Sequence, residues 1–270
     1  MANTNCDVYY LYLEYFGLIK YKTICISDTH LGSRDAQADL LNNFLKHNSS
    51  DNLFLIGDII DGWKIQQNKW RWKQSHSNVV RRILGAGKHG ANVIYITGNH
   101  DEFLRPFVIQ EFKMGNIKVV NQYDYHDIRG KRWLLTHGDM FDGISRLGRW
   151  IGFLGDKAYD AVLWVNTKFN YIRHKLGFGY WSLSKYLKHK VKKAVGFIFG
   201  FEKTVTDYCR KRGYDGVICG HIHSPDIKEV DGIGYMNDGD WVESCSALVE
   251  TEEGEWKIIY WTELKDADNN

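Results

Sequence analysis

This chain of 270 residues has no long apolar run, no excess of either charge sign, no even set of spaced cysteines and no internal repeat or low-complexity segment. Each absence removes a class. Without a span of roughly 18 or more apolar residues, no transmembrane helix is read. The first residues, MANTNCDVYYLYLEYFGLIKYK, are aromatic and apolar, but they carry Asp7 and Glu14 and lack a basic n-region. They read as neither signal peptide nor membrane span, and an N-terminal arm over residues 1–19, docked or paired as an edge strand, is expected instead. Basic residues number 35 and acidic residues 33, so a net charge of +2 gives no general attraction to nucleic acid, and no specific nucleic-acid partner is expected. Cys6, Cys25, Cys209, Cys219 and Cys245 are odd in number and scattered, and two of them lie in strand-like runs. They read as reduced core thiols of a cytoplasmic protein, not as a disulfide framework.

What the chain does have is five short segments that place Asp, His or Asn beside small residues: ISDTH at 26–30, GDIID at 57–61, GNHD at 98–101, THGD at 136–139 and GHIH at 220–223. Any one of them alone is a common turn or a hydrogen-bonded histidine. Their shared position is what counts. Each follows an apolar β-type run: TICI, LFLI, VIYIT, WLL and GVIC. Such runs are strands buried on both faces. Ligands of such sheets gather outside the carboxyl ends of the strands, where glycine permits sharp turns. Carboxylate, imidazole and amide oxygen suit divalent Mn, Fe, Zn or Mg, and the absence of cysteine from the set argues against structural zinc. The five loops together read as one two-metal phosphoester-cleaving site.

The order D-x-H, GD, GNHD, a later His-bearing loop and GH-x-H, running from Asp28 to His223, resembles the calcineurin-like metallophosphoesterases over most of the chain. Within them, SDTHLGSRDAQADLL, GDIIDGW, GNHDEFLR and NDGDWVES look like the branch related to UDP-2,3-diacylglucosamine pyrophosphohydrolase of lipid A synthesis. That resemblance implies an α/β fold, a four-layer α-β-β-α sandwich. It implies that Asp28, His30 and His223 hold one metal, that Asn99, His137 and His221 hold the other, and that Asp58 bridges them. Two dications roughly 3.5 to 4 Å apart need such a shared carboxylate, and the water between them becomes the nucleophile. It further implies that His100 stabilises or protonates the leaving oxygen with Asp101 orienting its ring, and that Asn99 lies near the substrate. The cofactors implied are two divalent ions, manganese first, with Fe, Zn or Mg compatible. One departure stands out: the lipid A hydrolase carries Arg directly after this Asn, whereas this chain has His100.

The metallophosphoesterase domain is expected over 20–262, with a disordered tail at 263–270. Helices are read at Ala36–His47 and Ser75–Lys88 from their apolar spacing. Strands are read at 234–236, 245–250 and 256–261, suggesting an antiparallel-containing second sheet. Residues 142–201 read as an inserted helical lid, joined in its middle by GFGYWS. Its lysines and aromatics fit a solvated amphipathic hairpin or a receiver of acyl chains and membrane, and the resemblance favours lipid. The expected partner is a phosphoester or nucleotide-sugar lipid, with contact to the inner face of the cytoplasmic membrane through the lid and no protein partner. Arg34 and Arg105 are candidates for phosphate contact, each equally able to cap a helix or pair with an Asp. Asp61 and Trp63 are assigned to loop packing behind the site, Asp139 and Asp142 to steering His137, and Asp238 and Asp240 are not read as ligands.

Overall fold

The computed structural model describes residues 18–109, 113–144, 198 and 200–262. They fall into two units, one made of the described residues up to Asp139 and from Thr206 onwards, the other of those between. Both sheets belong to the first unit.

Alternation along strands buried on both faces sets the layers. Strands β1 (Ile19–Ile26), β2 (Asn48–Ile56) and β3 (Asn92–Ile96) lie parallel and adjacent, interleaved in sequence with helices α1 (Ala38–His47), α2 (Gly62–Gln66) and α3 (Gln74–Lys88). Ile24, Ile26, Leu53, Leu55, Val93 and Tyr95 form one core with Leu41 and Phe44 of α1 and Val79 and Ile83 of α3. The residues between them, Cys25, Phe54, Ile56, Ile94 and Ile96, point into a second core with Trp133, Leu135, Ile218 and Met236 of the other sheet. A slip of one residue would exchange the two sets, so both cores fix the register.

The remaining strands are β4 (Lys113–Met114), β5 (Ile117–Val120), β6 (Gln122–His126), β7 (Arg132–Thr136), β8 (Gly216–Cys219), β9 (Asp226–Val230), β10 (Ile233–Asn237), β11 (Ser246–Glu250) and β12 (Trp256–Tyr260). The seven-stranded sheet runs β12-β11-β1-β2-β3-β5-β4, and the five-stranded sheet β6-β7-β8-β10-β9. Leu134, Val217, Cys219 and Tyr235 are buried on the outer side of the second sheet. A helical stretch at 206–211 brings buried Cys209 beside Cys219, Arg210 donates to the Asp231 carbonyl, and Tyr214 binds Asp124. The order helix, sheet, sheet, helix matches the expected α-β-β-α layers.

One expectation about the sheets is corrected. Ser246–Glu250 and Trp256–Tyr260 are antiparallel strands, but β11 pairs with β1 and extends the first sheet. Only β10 joins the second, flanked by antiparallel β9. Alternation identifies a strand without naming its neighbour. Of the helical lid expected at 142–201, residues 145–197 and 199 lie outside the described residues, as do residues 1–17 of the arm and the tail at 263–270. Among the described residues, no helix is long and apolar enough to cross a membrane.

Candidate metal centre

The carboxyl ends of β1, β2 and β3 in one sheet and of β7, β8 and β10 in the other carry the loops that the sequence singles out. Asp28 follows β1, Asp58 follows β2, Asn99 follows β3, His137 follows β7, and His221 and His223 follow β8. Their backbone is unusual. Among the described residues, eight non-glycine positions have positive φ, and five are Asp28 (48°), His30 (44°), Asp58 (54°), His221 (70°) and His223 (51°). Left-handed backbone disfavours side chains and persists only where surrounding bonds enforce it. Here Asp28 N–H donates to the Gly57 carbonyl and His30 N–H to that of Asp58, each at 3.0 Å, while His221 N–H donates to Asp28 Oδ2 at 2.8 Å. Two glycines permit the close approach of these loops. A Cβ on Gly98 would come within 2.2 Å of Asp58 Oδ1, and one on Gly220 within 2.5 Å of Asp28 Oδ2.

These loops bring the donor atoms face to face. His137 donates Nδ1–H to the Ile56 carbonyl at 2.9 Å, which turns Nε2 towards the centre. That nitrogen lies 3.3 Å from Asp58 Oδ2 and 3.3 Å from Asn99 Oδ1. His223 Nε2 is 3.0 Å from Asp28 Oδ1, and His30 Nε2 is 3.7 Å from the same oxygen. The His137 and His221 rings meet edge to face with centroids 5.0 Å apart. All seven predicted ligands therefore collect at one edge. Asp28–His30–His223 and Asp28–Asp58–His137 each offer ligand atoms within 4.8 Å of one another.

Burial sharpens the electrostatics. Asp28 is fully buried and Asp58 is 3 % exposed. Burial alone would push both carboxyls up, yet His223 and His137 hold Asp28 well below the usual carboxylate range, and His137 holds Asp58 at about 2. Conversely, burial would lower His137, but Asp58 and Asp28 raise it well above the ordinary imidazole value, and Asp28 raises His223 to about 9. The pocket is rich in lone pairs and demands positive charge. A proton on imidazole answers part of that demand, and divalent cations that displace it answer it better: carboxylate oxygens and imidazole nitrogens are the donors that hard to borderline dications take. The residues fit the metal pair.

The surroundings of His100 revise one expectation. Its Nδ1 faces Asp61 Oδ1 at 3.0 Å, so the carboxylate that orients the ring is Asp61, not Asp101. Asp61 is 2 % exposed and also caps α2 by accepting from Lys64 N–H. Asp101 instead accepts from Gly98 N–H, from Ile59 N–H at 3.0 Å and from Tyr95 Oη at 2.7 Å, tying the β2 and β3 loops together. Burial and nearby Asp58 raise it to about 6. The Trp63 ring covers His100 with centroids 4.0 Å apart. His100 Nε2 faces inward, 3.9 Å from Asp58 Oδ2.

Arg105 is paired with Asp139, so that carboxylate serves the arginine, and His137 is steered by the Ile56 carbonyl. Arg34 is exposed and has no hydrogen-bond or ion-pair partner among the described residues. The NDGDW loop returns to the centre behind the ligands. Ser27 Oγ lies 2.7 Å from both Asp28 Oδ2 and Asp238 Oδ1, and Trp241 N–H donates to the Asp28 carbonyl at 3.1 Å. Burial, with Asp28 nearby, pushes Asp238 well above the carboxylate range, and Ser27 Oγ stands between the two acids. Ser27 precedes D-x-H directly, and Asp238 is visible in the sequence only as an acid beside a glycine.

Comparison with curated protein sequences returns no match. Among solved structures, similarity extends to the phosphoesterase YfcE of E. coli (14 % identity, 88 % of this chain and 98 % of that one, TM-score 0.43). It also extends to an archaeal phosphodiesterase (15 %, 88 % and 98 %, 0.39) and to zinc-complexed Vps29 of Entamoeba histolytica (11 %, 88 % and 98 %, 0.36). The model of the family described as calcineurin-like phosphoesterase matches residues 21–225, spanning all five loops of the centre. The chain belongs to the calcineurin-like phosphoesterase family.

Proposed function

We propose that this protein is a two-metal hydrolase whose substrate is a nucleotide-linked, acylated sugar of the UDP-2,3-diacylglucosamine kind, cleaved at the α-phosphorus to give UMP and a sugar 1-phosphate. The observation that carries the hydrolytic reading is the convergence of Asp28, His30, Asp58, Asn99, His137, His221 and His223 on one edge, with His100 Nε2 turned towards it. Asp28, His30 and His223 would hold one divalent ion and Asn99, His137 and His221 the other, with Asp58 between them. When bound, the ions supply charge neutralisation at the phosphoryl oxygens and acidify the attacking water. The protein's own part is positioning and proton transfer. Because Asp61 accepts His100 Nδ1–H, Nε2 is the ring atom on the reacting side, and a proton taken up there can pass to the departing oxygen.

Support for an acylated substrate comes from the SDTHLGS, GDIIDGW, GNHDEFLR and NDGDWVES stretches. It comes also from Phe103, Phe107 and Ile109, which stand exposed just beyond His100. Manganese as the metal and peripheral contact with an anionic membrane surface complete this reading. A second reading, a phosphodiesterase or phosphomonoesterase for small soluble substrates, is favoured by one residue: His100 stands where the lipid A hydrolase carries Arg. A non-catalytic scaffold has no chemical need for seven metal-binding side chains beside His100.

The test is product analysis by mass spectrometry with Mn-loaded protein given UDP-2,3-diacylglucosamine and its non-acylated counterpart. UMP from the acylated compound alone establishes the lipid-linked substrate. Turnover of neither, with rapid cleavage of bis-p-nitrophenyl phosphate, replaces it with the soluble-substrate reading.

A further inference from the structure

Between Gly62 and His100 the chain has seven basic residues, Lys64, Lys69, Arg71, Lys73, Arg81, Arg82 and Lys88, and no Asp or Glu. In a chain of net charge +2, everything outside that stretch is net acidic. The first part of the stretch is fastened to the metal centre at both ends. At one end, Gly62 N–H donates to the His100 carbonyl at 2.9 Å, and Trp63 lies over the His100 ring. At the other end the anchor is Gly32, two residues beyond His30. Trp70 packs so tightly on Gly32 that a Cβ there would come within 2.3 Å of its ring. Arg71 N–H donates to the Gly32 carbonyl at 2.8 Å, and Gly32 N–H donates to Nδ1 of buried His76 at 3.1 Å.

The segment between these anchors is ordered and charged on its open side. Trp70 and Trp72 stack with centroids 5.0 Å apart and planes 12° from parallel. Trp72 stands edge-on to His76, donates Nε1–H to Ser77 Oγ at 2.8 Å and keeps 38 % exposure. Lys69, Arg71 and Lys73 are exposed, and none has an ion-pair partner among the described residues. A loop needed only for solubility has no reason to exclude carboxylates or to stack two tryptophans against the metal loop. Unneutralised cations beside an exposed aromatic face suit a ligand that is anionic and partly apolar.

We infer that residues 63–73 form the recognition rim of the metal centre. The rim reads a second anionic group of the substrate, phosphate or carboxylate, lying beyond the scissile phosphorus, with Trp72 covering an apolar part beside it. This rests on the phosphohydrolase reading and adds what that reading leaves open, the feature by which a substrate is chosen. Lys69, Arg71 and Lys73 act on binding, so their effect belongs in KM and not in the chemical step.

The experiment compares two chromogenic diesters that differ by one phosphate, thymidine 5′-(p-nitrophenyl phosphate) and its 3′-phosphorylated form, with bis-p-nitrophenyl phosphate as reference. The metal-loaded full chain is expected to favour the 3′-phosphorylated ester by about tenfold or more in kcat/KM, through KM and in a salt-sensitive way. In Lys69→Gln/Arg71→Gln/Lys73→Gln the ratio should fall towards one with metal content and Tm retained. In Arg81→Gln/Lys88→Gln, which removes charge from the same stretch away from the rim, it should persist. A ratio near one in the unmodified protein, a ratio that survives the rim variant, or an equal fall in both variants overturns the inference. So does cleavage of the reference compound with neither nucleotide ester accepted. Failure to cleave any of the three, with UDP-2,3-diacylglucosamine also left intact, removes the phosphohydrolase reading itself.

Discussion

The two sheets bring different chemistry to the same edge. The seven-stranded sheet supplies both buried carboxylates, Asp28 and Asp58, the amide of Asn99, and His30 and His100 with the orienting Asp61. From the five-stranded sheet come only imidazoles: His137, His221 and His223. All the negative charge of the predicted ligand set therefore stands on one wall. That wall sets how strongly cations are held, whereas the imidazole wall sets their geometry and makes binding depend on pH. Separating the roles this way leaves the proton donor, His100, on the anionic wall, where Asp61 can hold its ring.

The comparison predicts a ranking. Removing the shared charge should be worst: Asp58→Asn, which keeps shape but not charge, should lower kcat/KM by about 10³ or more and leave less than one metal per chain. His137→Ala on the imidazole wall should cost about 10²-fold while one metal stays bound, measured by elemental analysis beside steady-state rates. If the two variants lose metal equally, the walls do not differ in the way described.

Acidification probes the imidazoles, those of the five-stranded sheet together with His30, which Asp28 and Asp58 also raise against its burial. In the metal-free protein His223, raised to about 9 by attraction to Asp28 that outweighs its burial, and His137, raised well above the imidazole range, hold protons at pH 7 that a cation must displace. Apparent metal affinity should therefore rise with pH through neutrality and fall on acidification, by about tenfold per unit for each proton displaced. Titration calorimetry at pH 6 and 8 reads this directly, and a pH-independent affinity would contradict it.

Smaller effects sharpen the anionic wall. Asp61→Asn should lower kcat by about ten- to a hundredfold with both metals retained, because His100 loses the acceptor that fixes its Nδ1–H. Asp101→Asn should instead loosen the β2 and β3 loops and show first as a lower Tm. Asp238→Asn should cost about tenfold or less, since Asp238 reaches Asp28 through Ser27 Oγ and stands outside the ligand set.

Much of this was legible in the sequence, for a physical reason. Strands buried on both faces announce themselves as apolar runs, and the residue after each run must lie at the sheet edge, so five converging loops could be read from position, and the family resemblance then named the seven ligands. Side-chain direction could not. Asp61 and Asp101 are both acids near His100, and only the N-cap of α2 turns Asp61 towards the ring. Strand partnership was equally hidden, since β11 and β12 alternate like any strand but extend the sheet of β1. DIKEV of β9 is a polar edge strand with little apolar signal. The basic rim escaped because a net charge of +2 averages seven local cations against acids elsewhere, and counting carboxylates between Gly62 and His100 would have found it.

The most direct test of the central claim, two divalent ions shared by Asp58, is metal stoichiometry by inductively coupled plasma mass spectrometry on Mn-reconstituted wild type and Asp58→Asn. Two ions per chain, dropping below one in the variant with the fold intact by circular dichroism, is the expected result. One ion or none in the wild type, or an unchanged count in the variant, would contradict the account.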